Sequence, residues 1–446
     1  MYLVQEYGKV VGYFMGSRPC LLVADHDMLK TIMVTDFANF QNGRKFSDTS
    51  RSLSNSLLLL RDDHWKYVRS LLAPTFSSAK LKQMASHINA CAKLLVKNLD
   101  KQVGNKQGFP VGKFTGAFTM DVIARTVFSL EVDSQLDPNN PFVVHASKAF
   151  TDVSITNPII FLSMVFPILP ALFRLLKLSV IPKSTEEFFN NERVDFLQLI
   201  MNASREDKAD AASGEQEERK EQPMEQGEGE TQSEYKGKGL SHDEVLGNAM
   251  LFFLAGYDTT ATTLTYLMYS LALNPDCQQN AAEEVDKVLG QQDEVSYEML
   301  SQLPYLDMCI QETLRMFPPS IGMDREVKCD VTVNGVILPE NAIVTIPIYV
   351  LHHDPEVWPE PDKFDPERFT PEAKVDRNPF SYMPFGHGPR NCLGMRLAQQ
   401  EMKMVMATVL QRLRITTCHQ TQSPLTFQKT MLLVPQKEIM LAVERR

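Results

Sequence analysis

Hydrophobic residues at helical spacing run without a break from Ser241 to Leu273, the longest such stretch in the chain. Ser241 followed three residues later by Glu244 is the pattern of a capping box, and Asn274-Pro275 is a stop signal. At 1.5 Å per residue, a helix of this length is about 50 Å long, enough to cross the whole molecule. The pattern therefore predicts one long central helix.

Shorter periodic stretches predict a mainly α-helical chain with a small β-rich lobe near its start. Two strands are expected over 10–15 and 19–24, followed by a helix capped by Asp25. Asn334-Gly335 lies between two apolar runs and is a strong hairpin signal. Further helices are expected over 27–34, 78–99, 113–130, 303–317 and 395–410.

Composition and charge narrow the class of protein. With 43% apolar and 22% charged residues, the chain is typical of a globular protein with an ample core. The net charge of −10, without a clustered basic face, argues against nucleic acid as a partner. Seven scattered cysteines without a C-x-x-C spacing indicate free thiols in a reducing compartment. The start of the chain lacks a signal peptide or a spanning apolar run, so no transmembrane anchor is expected.

Two stretches depart from the ordinary globular pattern. Residues 157–182 are unusually apolar, but four prolines rule out a continuous spanning helix. They form either a buried irregular segment or an exposed patch that dips into a membrane surface. Residues 205–239 are polar, with 11 acidic and 6 basic side chains between 205 and 238. Because such a stretch buries little apolar area, it is expected to be a disordered surface insertion.

The strongest candidate for chemistry is Cys392, which lies in the Gly/Pro-rich stretch 385–394 just before a predicted helix. Backbone N–H groups at the helix start, the helix dipole and the nearby Arg390 are expected to stabilise a thiolate. A stabilised thiolate is a nucleophile, with His387 as a possible base, or a metal ligand. No further Cys or His at close spacing supports zinc. A buried structural cysteine is the third alternative.

Three other patterns are candidates for a site. The centre of the long helix reads Ala255-Gly256-Tyr257-Asp258-Thr259, which is costly in an apolar helix. This stretch either allows close helix packing, with the threonine hydroxyl bonded to the preceding turn, or forms part of a functional site. Trp65 and Arg69 fall four apart and form an anion clamp, or a core Trp beside an exposed Arg. Glu312 and Arg315 share one helix face.

Taken together, these patterns resemble the cytochrome P450 family over nearly the whole chain. The resemblance rests on Phe-x-x-Gly-x-Arg-x-Cys-x-Gly at 385–394, Ala-Gly-x-Asp-Thr at 255–259, Glu-x-x-Arg at 312–315, Pro-Glu-Arg-Phe at 366–369 and Trp-x-x-x-Arg at 65–69. It implies a single cytochrome P450 domain over 1–446, with haem b between the long central helix and the Cys-bearing loop. Cys392 would then be the iron ligand, since haem–thiolate ligation is the family's hallmark.

The resemblance also implies roles for individual residues. Asp258 would relay protons and Thr259 would hold dioxygen while its O–O bond breaks. Glu312 and Arg315 would form a buried structural pair tied to Arg368. The residues expected to contact haem, through its propionates, its face or its oxygen pocket, are Trp65, Arg69, Ala255, Gly256, Arg325, Phe385, Arg390 and Cys392.

Within the family, the chain resembles the animal group that contains the drug- and steroid-oxidising 3A enzymes and thromboxane synthase. The Asp258-Thr259 pair favours a monooxygenase of lipophilic molecules such as a steroid, fatty acid or xenobiotic. Its expected partners are NADPH-cytochrome P450 reductase and cytochrome b5. The expected location is the cytoplasmic face of the endoplasmic reticulum membrane, with attachment through 157–182. Leu254, Ile321 and Gly322 are expected to line an apolar cavity.

Two alternatives stay open. One is an endoperoxide isomerase of the same fold, which would resemble thromboxane synthase. The other is a haem-binding but inactive form, because the segment 181–196 is shorter than the family pattern and a helix over the pocket is largely missing.

Overall fold

The computed structural model describes residues 2–44, 51–128, 130–137, 239–428 and 430–446, with a few isolated positions between 140 and 169. The predicted membrane patch at 157–182 and the acidic insertion at 205–239 lie almost wholly outside the described residues. The shortened segment at 181–196 lies outside them altogether.

Helices make up most of the described chain. They are α1 (Tyr2–Tyr7), α2 (His26–Lys30), α3 (Arg51–Ser54), α4 (Asp62–Leu72), α5 (Ser78–Asp100), α6 (Val111–Val127), α7 (His242–Leu273), α8 (Pro275–Leu289), α9 (Pro304–Met316), α10 (Ile348–His352), α11 (Pro371–Lys374) and α12 (Met395–Leu410). The strands are β1 (Val10–Met15), β2 (Arg18–Val23), β3 (Phe109–Pro110), β4 (Met323–Glu326), β5 (Val331–Val333), β6 (Val336–Leu338), β7 (Ile343–Ile346), β8 (Leu413–Thr416) and β9 (Met440–Arg445). The predicted mainly α chain with a small β lobe is confirmed.

The β lobe is built on a four-stranded sheet in the order β1-β2-β7-β4. Strands β2 and β7 are parallel, whereas β1–β2 and β4–β7 are antiparallel. The predicted hairpin forms between β5 and β6, where Asn334 and Gly335 both have positive φ, 48° and 81°. Two positive φ angles are what a two-residue hairpin turn requires. The helix predicted at 27–34 instead ends at Lys30 and continues as a π-helical turn, Thr31–Thr35.

The long central helix α7 begins and ends as predicted. The Ser241 hydroxyl accepts a hydrogen bond from the Glu244 N–H at 3.3 Å, and the Glu244 carboxylate accepts one from the Ser241 N–H at 2.6 Å. The helix stops at Leu273, and the next helix begins at Pro275. Proline at a first helical position fits because its missing N–H would have had no partner there.

Helix α7 passes through two apolar clusters. Its first half packs with α4 and α6, and its buried members end at Leu254. Its second half packs with α5, α8, α9 and α12, beginning at Leu264. Residues 255–263 lie between these buried runs, at the level where the family patterns place the site. Among the helices that the structure describes, none combines the length and apolar character needed to cross a bilayer.

Candidate active site

The loop that carries Cys392 is closed by its own backbone. The Cys392 N–H donates to the Phe385 carbonyl at 2.8 Å, and the Asn391 N–H donates to the Gly388 carbonyl at 3.1 Å. Helix α12 begins three residues after the cysteine. His387 packs against the ring of Phe380, and no hydrogen bond joins it to Cys392 in the described chain. No group of three His, Cys, Asp or Glu converges among the described residues, so a lone thiolate ligand fits better than zinc.

The expectation of a low thiol pKa at Cys392 is wrong in direction. Part of the residue's surface is exposed, but protein surrounds the sulfur closely enough that desolvation raises its pKa. The N–H groups of Gly394 and Met395 and the charge of Arg69 lower the pKa and partly offset this effect. The cation that lowers the pKa of the thiol is therefore Arg69, and Arg390 does not contribute to this effect.

Glycine is required in this loop for two local reasons. Gly386 and Gly388 both have φ of +72°, in the left-handed region. A Cβ on Gly388 would lie 2.2 Å from the carbonyl oxygen of Met33, which belongs to the π-helical turn after α2. The tight approach at Gly388 is thus to backbone of the same chain. Gly394 differs, because a Cβ there would meet nothing nearer than Phe76 at 3.9 Å.

Trp65 and Arg69 on α4 dock onto the Cys-bearing loop. Arg69 donates to the Asn391 carbonyl at 3.0 Å and to its side-chain oxygen at 2.7 Å. Trp65 is only 3% exposed and lies between two guanidinium groups, Arg69 at 5.7 Å and Arg390 at 4.8 Å from the ring centre. The spacing of four residues on one helix face brings both side chains to the loop.

Arg390 is held mainly by backbone carbonyls. Its guanidinium donates to Gln41 at 2.6 Å and to Leu60 at 2.7 Å. Burial and, to a smaller extent, the positive charges of Arg325, Arg61 and Arg69 together lower its pKa to about 9. Arg390 therefore lies close enough to three other arginines to be repelled by them.

Arg325, on strand β4, is the least compensated member of this group. It is 6% exposed, and its one hydrogen bond in the described chain runs from Nη1 to the Asp324 carbonyl at 3.0 Å. Its Nε has no partner among the described residues, and burial lowers its pKa to about 10. Buried donors without partners are costly, so this cluster of guanidinium groups is suited to an anionic ligand such as a pair of carboxylates.

Sequence reasoning did not identify Arg61, the fourth arginine. It pairs with Glu326 at 2.5 Å across the β lobe. Its sequence neighbours carry no motif, and Glu326 is far away along the chain. The only sequence signal was its position just before α4.

The centre of α7 combines packing with an open surface. A Cβ on Gly256 would lie 2.8 Å from Cδ1 of Ile123 on α6, so this glycine serves close helix packing and leaves room for α6. Ala255, by contrast, is exposed. The Thr259 hydroxyl donates to the Ala255 carbonyl at 2.6 Å, the local bond expected of a helical threonine. Leu254 is buried in the cluster with α6.

Asp258, in the same turn, is half-buried, and protein surrounds much of its carboxyl group. Burial raises its pKa to about 6, and no charged neighbour contributes to the shift. No hydrogen bond or ion pair joins its carboxylate to any described residue. A carboxyl group with this pKa exchanges protons readily near neutral pH.

A short chain of contacts relates the two halves of the site. Gly394 lies beside Phe76, and the ring of Phe76 meets Phe252 of α7 edge-on, with 5.5 Å between centres. Phe252, Ala255 and Thr259 fall at i, i+3 and i+7 and so share one helix face. The open face of α7 is therefore directed to the side of the molecule where the Cys-bearing loop joins α12.

Glu312 and Arg315 are fully buried on α9 and form two hydrogen bonds, at 2.7 and 2.8 Å. Arg368 approaches Glu312 at 3.4 Å, and the Asp365 N–H donates to it at 3.0 Å. The structure thus brings together the three residues that were predicted to form one cluster. Arg315 also donates to the His352 carbonyl at 2.9 Å.

His352, which the sequence analysis did not single out, connects this cluster to the Cys-bearing loop. Its Nε2 accepts a hydrogen bond from the Met383 N–H at 2.9 Å. Burial lowers its pKa to about 3, so the ring is neutral and can accept this bond at physiological pH. The adjacent Trp358 supports both Arg315 and Arg377, which lie 5.3 and 4.2 Å from its ring centre.

Comparison with known proteins agrees with this geometry. The family described as Cytochrome P450 matches residues 1–443. The chain is 36% identical over 455 residues to cytochrome P450 3A29 of Sus scrofa, with 98% of this chain and 85% of that protein covered. It is 36% identical over 463 residues to cytochrome P450 3A9 of Rattus norvegicus, with 100% and 86% covered. It is 37% identical over 460 residues to cytochrome P450 3A11 of Mus musculus, with 99% and 86% covered.

Haem b, the cofactor of this family, fits the residues present. A lone cysteine ligand suits its iron, and buried guanidinium groups, including Arg325 with an unpartnered Nε in the described chain, suit its two carboxylates. Members of the family use a redox partner and lipophilic substrates. The chain therefore belongs to the cytochrome P450 family and is a haem-thiolate monooxygenase.

Proposed function

We propose that this chain inserts one atom of dioxygen into lipophilic organic molecules of the steroid, fatty-acid or xenobiotic class, with electrons from NADPH-cytochrome P450 reductase. The supporting observation is the turn Ala255–Thr259 of α7, where an exposed helix face lies beside a carboxyl group of pKa about 6. An isomerase that consumes no dioxygen has no need of a proton donor at this position.

In this proposal, Cys392 would supply the thiolate ligand of the haem iron, and the two haem carboxylates would be held by Arg325, Arg69, Arg390 and Trp65. When bound, haem supplies the activation of dioxygen, which thiolate donation favours. The unpaired Nε of Arg325 would gain a charged hydrogen-bond partner. Phe385 acts through its carbonyl, which fixes the Cys392 backbone.

Asp258 and Thr259 have complementary roles in the proposal. Asp258 takes up a proton from solvent and releases it into the site, because its pKa is near the working pH. Thr259 positions the proton acceptor through its hydroxyl group, which can both donate and accept. The bond from Thr259 to the Ala255 carbonyl sets the direction of that hydroxyl.

The first test is the carbon monoxide difference spectrum of the reduced protein, followed by turnover of a lipophilic substrate with NADPH and reductase. A thiolate-type Soret band with oxygenated product supports the proposal, and Cys392→Ala should abolish the band. Thr259→Ala should keep the band but release reducing equivalents as peroxide. Turnover of an endoperoxide without reductase would favour the isomerase, and a normal band without any substrate-induced spin shift would favour an inactive form.

We also infer that the enzyme works as one domain at the cytoplasmic face of the endoplasmic reticulum membrane, attached through 157–182, with cytochrome b5 as a second electron donor. The apolar composition of 157–182 supports this attachment. Co-sedimentation with phosphatidylcholine vesicles tests it, with a variant carrying Phe161→Ser and Phe166→Ser as the comparison. Equal binding by both proteins would show that another part of the chain carries the attachment.

A further inference from the structure

The start of α4 has an unusual backbone conformation. Asp62, the first residue of this helix, has a φ of 48°, in the left-handed region that residues with a Cβ seldom adopt. Such strain persists only where surrounding groups hold the residue in place, and it is common at functional sites. Helix α4 carries Trp65 and Arg69, so the strain lies at the base of the helix that reaches the Cys-bearing loop.

Two buried amide side chains hold the Asp62 backbone. Asn42 accepts a hydrogen bond from the Asp62 N–H at 2.9 Å and donates one to the Asp62 carboxylate at 3.1 Å. Gln41 donates to the Asp62 carbonyl at 2.7 Å. Both amides are only 3% exposed. The first N–H groups of a helix have no partner within it, and here a segment 20 residues earlier in the chain supplies one.

The segment 41–42 is itself fixed to two other parts of the molecule. The Glu326 N–H, at the end of β4, donates to the Asn42 carbonyl at 2.8 Å. Arg390, in the Cys-bearing loop, donates to the Gln41 carbonyl at 2.6 Å. The segment therefore joins the start of α4 to the β lobe and to the loop that carries Cys392.

The Asp62 carboxylate contributes a charge to this junction. It forms an ion pair with Lys328 at 3.2 Å. Burial by itself raises the pKa of Asp62, but hydrogen bonds from Asn42 and Lys328 and the positive charges of Lys328 and Arg61 outweigh it, so the pKa is lowered. The carboxylate is therefore ionised at neutral pH and accepts hydrogen bonds from both neighbours.

The left-handed residue determines the direction of α4. The first hydrogen bond of the helix runs from the Trp65 N–H to the Arg61 carbonyl at 3.1 Å, so Asp62 lies inside the first turn. Trp65 and Arg69 follow Asp62 at i+3 and i+7 and share one helix face. A rotation about the Asp62 backbone would therefore turn both side chains away from Asn391, to which Arg69 donates at 2.7 Å.

We propose that Asp62 is a positioning residue for haem binding. Its left-handed backbone, held by the segment 41–42, directs α4 so that Trp65 and Arg69 face the haem carboxylates. The inference rests on the proposed function, in which these two side chains contact the carboxylates. Asp62 acts through the helix and not by touching the haem.

The test compares Asp62→Ala with Asp62→Gly by the rate of haem transfer from the holoprotein to apomyoglobin. Both variants lose the carboxylate and differ by one methyl group, but only glycine adopts the left-handed region freely. We expect haem to leave Asp62→Ala about 3–10-fold faster than Asp62→Gly. Asp63→Ala, which removes the other first-turn carboxylate, is the control and should stay within about 2-fold of wild type. Equal rates in the alanine and glycine variants would overturn the proposal.

A second comparison separates positioning from a general loss of stability. The same two variants are made in a chain with Trp65→Phe and Arg69→Met, which lacks both donors. The difference between alanine and glycine should fall below about 2-fold there, because the groups that Asp62 positions are gone. A difference of the original size would overturn the proposal, since Asp62 would then act on the fold as a whole.

Two further measurements complete the test. Asn42→Ala leaves the Asp62 N–H without its partner and should also speed haem transfer about 3–10-fold, which keeps the proposal testable if Asp62→Ala fails to fold. A wild-type rate for Asn42→Ala would contradict the proposal. A wild-type rate in the chain with Trp65→Phe and Arg69→Met would refute the haem contacts of the proposed function, and this inference with them. Equal rates for alanine and glycine at position 62 refute the inference alone.

Discussion

Arg315 and Arg325 are both buried, yet their surroundings are opposite. Every nitrogen of Arg315 is used, twice by the Glu312 carboxylate and otherwise by the carbonyls of His352 and Pro361. Arg325 makes one hydrogen bond, to the carbonyl next to it, and its Nε has no partner in the described chain. The one nearby charge that affects its pKa is that of Asp324, which forms no ion pair with it in the described chain.

The difference separates a structural ion cluster from a binding site. Removing a charge from water is expensive, and a chain that buries one for structural reasons supplies the counter-charge itself. Buried groups with strongly shifted pKa values are often found at binding sites. The Glu312 cluster therefore supports the fold around the Cys-bearing loop, and we propose that the haem carboxylates supply the partner that Arg325 lacks.

The largest effect should follow from opening the structural cluster. Glu312→Gln leaves Arg315 buried without its counter-charge, and we expect a loss of about 3–5 kcal/mol in the free energy of unfolding. Urea denaturation measures this loss. Arg414→Lys, a change at an exposed strand position, is the matched control and should stay within about 0.5 kcal/mol of wild type. A loss below 1 kcal/mol for Glu312→Gln would mean that the cluster is not structural.

Asp258 tests whether the candidate haem site contains ionisable groups that have no partner in the described chain. Its folded pKa of about 6 lies above the usual value, so the stability it contributes is present at low pH and is lost as the pH rises through 6. Asp258→Asn should therefore gain stability over wild type as the pH rises from about 4 to about 6, reaching about 3 kcal/mol, and should gain no more above pH 7. Denaturation midpoints across this range measure the difference.

The same variant should reduce the coupling of electrons to product several-fold, since the proton donor is gone. A stability difference that does not change with pH would show that Asp258 is ionised throughout. Unchanged coupling would show that Asp258 is not on the proton path, even if its pKa is raised as described.

Arg325→Met tests the arginine of the candidate haem site directly. We expect haem to transfer from the variant to apomyoglobin about 10–100-fold faster than from wild type, because one charged hydrogen bond to a haem carboxylate is lost. The circular dichroism spectrum should be unchanged, since Arg325 forms no ion pair in the described chain that its loss would break. Arg414→Met is the control for loss of an exposed guanidinium group. A transfer rate equal to wild type would assign the carboxylates to other residues.

The smallest effect is expected at Glu401 on α12, a buried carboxyl group whose Oε1 has no partner in the described chain. Burial holds its pKa well above the usual value, so the group is neutral in the folded protein. Glu401→Gln replaces one neutral group with another of similar shape and should change the free energy of unfolding by less than about 1 kcal/mol. A loss as large as that of Glu312→Gln would mean that Glu401 is ionised and paired.

The sequence by itself determined the features whose partners lie within a few residues. The capping box of α7, the hairpin at Asn334-Gly335 and the Glu312–Arg315 pair all depend on contacts inside one turn or one helix face. Their geometry follows from local backbone periodicity, so their spacing in the chain was sufficient to predict them. The position of Cys392 just before a helix is of the same kind.

Only the tertiary structure decided which groups meet across the molecule. Gly256 faces Ile123, Gly388 faces Met33, and Arg390 is held by carbonyls at Gln41 and Leu60. Desolvation, which raises the pKa of Cys392 and lowers that of Arg325, depends on all the chain segments packed around a group at once. No spacing along the chain contains that information, because burial is a property of the folded whole.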